Sequence, residues 1–507
     1  MIQSECNNRR IAINTIFLYV RTIIVLGLSL YTSRVILKVL GEEDFGIYNV
    51  VGGVIVLFSF LTNALTASTQ RYLNYNMGLN DSKKISLTFD VALVAHISIT
   101  IFFLILAETI GLWFVQTQLN IPIERQNAAI WVYHFTIIAT ALNILVIPYR
   151  SSIIATEKMS QFALFSIIEA VFKFVIVLIL PYIKLDSLIL YSLLMVFVSI
   201  LLLLMYYLSC RNQLFFTKFN FEWDYGLYKE MLSFSGWYLF GGAAIVGARQ
   251  GGNILLNIFK NVSINAAVGI ANQVRAAVVN FVSSFQTAFT PQIVKLCASG
   301  EQSKLLELLY RSTKFSFVLY VIIAVPVIFF CDSILNLWLY EVPAHAVLFT
   351  QLVVITTSFD VLSTPLWTSI GAIGDIRKYQ IVVSLILLSI LPLSYFALSL
   401  GWNSEIVFVL DLIANLLAFI YRVYFAKQYV GFNYAEYLKN ALYPCFSILI
   451  IIIPLFYLIS TLGINKYETV VEVMLGILAI CLISFFVVFN ESEKKGIIEM
   501  FKSKLKL

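Results

Sequence analysis

"FGIYNVVGGVIVLFSFLTNALT", residues 45–66, lines up with "VGIANQVRAAVVNFVSSFQTAF", residues 268–289, at a shift of 223 that matches Gly46, Ile47 and Asn49 to Gly269, Ile270 and Asn272. A second echo pairs "PYRSSIIATEKMSQF" (148–162) with "PLWTSIGAIGDIRKY" (365–379) at nearly the same shift. One pattern written twice in the same order predicts two six-helix halves of the same orientation, related by an axis along the membrane normal, with a site at the membrane midplane.

The surrounding composition agrees. Of 507 residues, 60% are hydrophobic and only 12% charged, about half the charge of an ordinary soluble chain. The apolar runs fall into about 14 segments of helix-spanning length and are continuous rather than alternating, which argues against a β-barrel. The fold class expected is therefore an all-α integral membrane protein. Spans are expected near 11–38, 45–70, 87–115, 128–149, 161–182, 187–209, 232–259, 265–294, 312–339, 346–372, 379–400, 404–426, 441–462 and 469–489. The predicted division is an N-lobe at 1–210 (six spans), a C-lobe at 211–430 (six spans), and two further helices with a basic tail at 431–507.

Charge orients these spans, because Lys and Arg collect on the cytoplasmic side. Alternate segments hold 24 of the 34 basic residues, whereas acids gather in the opposite loops, as in "GEEDFG" at 41–46. Both termini are thus expected in the cytoplasm. The loops leave no room for an extramembrane catalytic domain, and no G-x-x-x-x-G-K-[ST] phosphate loop occurs. Six scattered cysteines and three histidines lack ligand spacing, so no metal, no cofactor and no nucleic-acid partner is expected. The chain is not read as an enzyme.

Five basic residues remain inside spans: Arg21, Arg34, Lys173, Arg249 and Arg275. Lys173 lies four residues from Glu169, the spacing of an intrahelical ion pair. Arg34 is near enough to the outer interface to reach it by snorkelling. Arg21, Arg249 and Arg275 are deep and have no acid three or four positions away. An arginine there costs about 2.5 to 3.5 kcal/mol on insertion scales, so something neutralises it or uses it. Asp360, Asp411 and Glu108 are candidate counter-ions or ion-coupling sites. Polar residues at steps of three, four or seven mark one face of several spans: Asn49 and Asn63 in the second, Asn253 and Asn257 beside Arg249, Asn272 and Gln286 beside Arg275. These faces are expected to line a hydrated cavity, and the glycines around Arg249 to serve helix packing. Converging arginines form a receptor for an anion, and their planar forks suit a phosphate or diphosphate.

"SRVILKVLGEEDFGIYNVVGGVIVLFSFL" (33–61) and "IPYRSSIIATEKMSQFALFSIIEAVFKF" (147–174) resemble the Wzx-type polysaccharide flippases of the multidrug/oligosaccharidyl-lipid/polysaccharide exporter (MOP) superfamily, in span number, spacing and duplication along essentially the whole chain. The resemblance implies a MATE-like fold and transport of undecaprenyl-diphosphate-linked oligosaccharide across the bacterial inner membrane for O-antigen, capsule or exopolysaccharide synthesis. It also implies the bilayer and a polysaccharide polymerase as partners. Relatives that flip peptidoglycan precursors use arginines of the first, second and eighth spans around the diphosphate. Arg21 and Arg275 match that picture, whereas Gly52 stands where the second-span arginine would be, and Arg249 is the expected replacement. The alternatives are a cation-coupled drug exporter of the same superfamily, which would use acids in the first or seventh span, and a membrane polysaccharide polymerase or ligase, which would need a long outer loop.

Overall fold

This computed structural model describes residues 2–56, 59–117, 121–260, 262–339, 342–461, 468–495 and 498. Among them the chain is almost entirely helical, as bilayer physics demands of a spanning segment that must satisfy its own backbone. Ten helices are long and apolar enough to cross a membrane. The first and fourteenth expected spans appear as shorter apolar helices, Ile13–Ser29 and Glu472–Val487. The second and eighth fall on helices that carry the polar faces described above.

α1 (Ile2–Val56) comprises two helices that meet at Gly41, in the stretch expected to separate the first two spans; its φ of 78° is one that only glycine adopts without strain. α2 (Ser59–Gly78) then completes the second span. The third span is broken. α3 (Ser82–Leu106) runs into a single π-helical turn, Ala107–Gly111, before α4 (Leu112–Thr117).

The chain forms two compact units, Asn14–Leu239 and Phe240–Leu507 with the first thirteen residues. In the first, α5 (Gln126–Ala155) packs on α2, α3 and α7 (Ser187–Gln213); α2 packs on α3, and α6 (Met159–Ile179) on α7. α8 (Tyr225–Phe259) crosses the division. The second unit contains α9 (Val262–Ser299), α10 (Gln302–Phe329), α11 (Cys331–Trp338), α12 (Ala346–Ile373), α13 (Arg377–Leu388), α14 (Ile390–Ser399) and α15 (Ile406–Val430). Here α12 packs on α9, α10 and α15; α9 packs on α10, and α13 and α14 on α15. Replacing α2, α3, α5, α6 and α7 by α9, α10, α12, α13 with α14, and α15 turns the first set of contacts into the second. The duplication read from 45–66 and 148–162 is therefore a duplication of packing. After α16 (Tyr434–Tyr437), the last two long helices, α17 (Tyr443–Thr461) and α18 (Glu468–Val487), pack on α10 and on each other. The buried ion pair of Lys314 with Glu493, 2.6 Å, ties the segment that follows α18 to α10.

Both breaks in the third helix of a unit are patched in the same way. The Tyr133 hydroxyl of α5 donates to the Ala107 carbonyl at 2.6 Å, and the Gln351 amide of α12 donates to the Ile328 carbonyl at 2.9 Å, beside the α10–α11 break. The Ala107 carbonyl also takes the Leu112 N–H of the π-helical turn, so Tyr133 adds a second donor to it from the neighbouring helix. Gly111 is required here, since a Cβ on it would stand 2.1 Å from the Tyr133 hydroxyl. Gly111→Ala is accordingly expected to destabilise the protein by about 1–3 kcal/mol. Tyr133→Phe, introduced on top, should recover part of that loss by removing the clashing oxygen. Thermal unfolding in detergent measures both.

At the end of the first unit where acids gather, Arg125 holds two chain segments together. Its guanidinium donates to both carboxylate oxygens of Asp44 (2.8 and 2.6 Å) and to both of Asp186 (2.6 and 3.2 Å). Asp186 in turn caps α7 through the Leu188 and Ile189 amides. Burial pushes the Asp186 carboxyl up, but the hydrogen bonds from Arg125 and from these amides outweigh it and hold the group below its ordinary value. A depressed carboxylate pKa stabilises the folded state above the unfolded value of about 3.9, and that contribution disappears as the pH falls through the folded value. Arg125→Ala should cost about 2–3 kcal/mol at neutral pH. The gap from wild type should stay constant to about pH 5 and close below about pH 4; a gap unchanged at pH 3 would remove charge as its cause.

Candidate functional site

The charged residues of the second unit converge on one place. Arg275 of α9 donates to Asp360 of α12 at 2.8 Å, and Arg249 of α8 approaches the same oxygen at 3.4 Å. Arg275 also lies 3.8 Å from Asp411 of α15. Asn415, one turn on, donates to both the Asp411 carbonyl and its carboxylate at 2.8 Å. Arg422, two turns further, is buried and donates through Nε to the Tyr379 hydroxyl at 2.9 Å. Arg249, Asp360, Asp411, Asn415 and Arg422 line one cavity of about 20 Å³, roughly the room a single water needs.

Local sequence places each group. On α15, Asp411, Asn415 and Arg422 follow steps of four and seven, so they share a helix face. α8 comes close to its neighbours through glycines: a Cβ at Gly241 would stand 2.1 Å from the Gln380 amide, and one at Gly251 2.5 Å from Leu391. The glycines flanking Arg249 thus serve packing, and the packing sets the arginine at the cavity. The Arg275 side chain is only 7% exposed and the Arg249 side chain 43%. Arg275 is therefore the fixed charge of the cluster and Arg249 the accessible one.

Three arginines and two aspartates carry a formal charge of +1. That is the arrangement a low-dielectric site tolerates, because removing either sign would strand its partners. Chemically the cluster offers guanidinium forks whose present partners are carboxylates, the group that a phosphate most resembles as an acceptor.

The remaining predicted residues lie elsewhere. Arg21, in the first unit, sits over the Phe162 ring at 4.8 Å, and its Nε has no hydrogen-bond partner among the described residues. Glu108 pairs with His134 at 3.0 Å, and Lys173 with Glu169 at 2.6 Å. Asn253 is half-buried and bonds Gln250, while Asn63, Asn257 and Asn272 are exposed. Gln286 is buried and donates to the Val361 carbonyl at 3.3 Å, so it joins α9 to α12. The side chains of Asn49 and Arg34 lie outside the described residues. Two cluster members were not singled out from the sequence: Arg422, counted among the 24 basic residues of the alternate segments although it stands near the end of the expected 404–426 span, and Asn415. The spacing of both from Asp411 was the available signal.

The sequence pattern of the family described as a polysaccharide biosynthesis protein matches residues 11–297, more than half of the chain. No curated protein matches the sequence. Solved structures resemble it in fold. A MATE protein in the straight conformation aligns at a TM-score of 0.74 and 11% identity, over 84% of this chain and 96% of that one. An outward-facing multidrug resistance MATE family transporter of the MOP superfamily gives 0.71 and 11%, over 82% and 95%. A MOP superfamily transporter from Pyrococcus furiosus, described as having a binding pocket of reversed polarity that points to a different function, gives 0.68 and 13%, over 82% and 95%. The chain therefore belongs to the polysaccharide biosynthesis protein family, and its fold is that of the MATE structures.

Proposed function

We propose that this transporter flips an undecaprenyl-diphosphate-linked oligosaccharide from the cytoplasmic to the periplasmic leaflet of a bacterial inner membrane, with both termini in the cytoplasm, supplying O-antigen, capsule or exopolysaccharide synthesis. The observation that carries the reading is the cluster of Arg249, Arg275 and Arg422 around Asp360. An anionic headgroup entering this place would exchange with Asp360 for the guanidinium forks, with Arg249, the exposed arginine, meeting it first. Arg21 is assigned to the same headgroup, and the exposed Asn63, Asn257 and Asn272 with the half-buried Asn253 to the sugars. A cavity of about 20 Å³ holds no diphosphate, so substrate entry requires a second conformation, as alternating access supposes. A polysaccharide polymerase would receive the flipped product.

Two partly buried carboxylates in the cluster favour a second reading, a cation-coupled drug exporter, since embedded acids bind cations. Deletion of the protein followed by lipid extraction separates the two. Accumulation of a diphosphate-linked oligosaccharide on the cytoplasmic face supports the flippase, whereas intact surface glycan together with drug sensitivity supports the exporter. In a complementation assay, Arg249→Glu and Arg275→Glu should each abolish glycan export while the protein still inserts into the membrane. Normal export by both variants would remove the cluster from the transport path.

A further inference from the structure

The segment that joins α7 to α8 is docked on the first unit at every stage. Leu214, Phe216 and Thr217 are buried, with the Phe216 ring 6.3 Å from Phe89. The carboxylate of Asp90, fully buried on α3, accepts the backbone N–H groups of Asn220 (3.0 Å) and Glu222 (3.2 Å). Phe221, between them, is held at φ 58°, a left-handed conformation that a bulky side chain rarely adopts. Further on, Ser68 donates to the Met231 carbonyl at 3.0 Å, and Arg71 lies over the Phe234 ring at 5.5 Å.

This fixed strap turns rings outward. Phe221 is 84% exposed, with Phe215, Trp223 and Tyr225 at 64%, 50% and 67%. Four exposed aromatic side chains within eleven residues, on backbone strained to hold one of them out, are unlike the polar surface of an ordinary loop. The strap holds Lys218 against Glu222 and Asp224, and with the flanking Arg211, Lys229 and Glu230 the stretch 211–230 is neutral, so it has no net positive charge to attract a headgroup. Its place in the chain identifies what it meets. α7 ends at Gln213 and α8 begins at Tyr225, seven residues or about 10 Å before the expected hydrocarbon edge near 232, a depth that belongs to the headgroup layer.

We propose that residues 215–225 are an interfacial foot: a strap locked by Asp90 that seats Phe215, Phe221, Trp223 and Tyr225 in the headgroup layer of the bilayer, through ring partitioning rather than charge. Aromatic side chains favour that layer because it accepts an apolar ring and a polar edge together. The surface holds whatever the transported substrate is.

The test uses the full-length protein in nanodiscs, where both membrane faces are open to solvent. Trp223 fluorescence is obtained as the difference between wild type and Trp223→Phe. The expected result is strong quenching by a headgroup-nitroxide phosphatidylcholine, severalfold weaker quenching by iodide, and no change on raising the salt. Asp90→Ala should release the strap and raise iodide quenching severalfold; Phe221→Gly, which relieves the strained φ and deletes a ring, should move it the same way with α3 intact. Trp223 open to iodide and untouched by the lipid nitroxide would overturn the proposal and leave the rings as a docking face for a soluble protein. Trp223 shielded equally in both strap variants would overturn the locking role.

Discussion

One constraint governs the second unit: an arginine placed deep in an apolar helix must be neutralised where it stands. Arg275, 7% exposed, has no acid within a turn of its own helix, so the neutralising group has to come from another element. Asp360 and Asp411 supply it from α12 and α15. The pairing fixes three helices at one depth and rotation, since a register shift in any of them would leave a charge uncompensated in a low-dielectric interior. Packing adds to this, with Gln286 bonded to the α12 backbone next to Asp360. The charge cluster thereby specifies the arrangement of α9, α12 and α15 as well as the chemistry presented there.

The two units share a scaffold and differ in what they hang on it. The pairwise helix contacts of the first recur in the second, as do the break in the third helix and its side-chain patch. Functional groups do not follow that symmetry. Phe162 and Tyr379 occupy matched places in the 148–162 and 365–379 echo, yet Phe162 offers Arg21 only a ring face, whereas Tyr379 offers Arg422 a hydroxyl. Gly52 stands where Arg275 does in the other copy. Duplication thus preserved the apolar contacts that make a unit fold and released the polar positions to diverge, consistent with function residing in sites grafted onto a fold.

What the sequence made legible follows the range of the underlying physics. Span positions, the duplication and the Glu169–Lys173 pair depend on local patterns of hydropathy and helical spacing, and could be read directly. The partners of Arg249 and Arg275 lie 111 and 85 residues away in sequence, and no local pattern carries a contact that tertiary packing makes. Arg422 was not distinguished from the cytoplasmic-side basic residues for a related reason. Near the expected end of a span a basic residue usually belongs to the cytoplasmic loop, and only its face-sharing with Asp411 and Asn415 pointed inward. The break at Gly41 was legible for the same local reason as the spans: a glycine followed by three acids ends a helix, and its positive φ turns the chain there.

The resident carboxylates bear on how an anion could use this site at all. Three guanidiniums without counter-ions would be costly to hold in the membrane when the substrate is absent. Asp360 and Asp411 bring the empty cluster to +1, and under the proposed reading the substrate exchanges for a carboxylate instead of filling a vacancy. Such exchange limits affinity, because every hydrogen bond gained by the phosphate is first lost by Asp360. For a transporter that limit is useful: a headgroup held only by the difference between two similar acceptors can be captured on one side of the membrane and let go on the other.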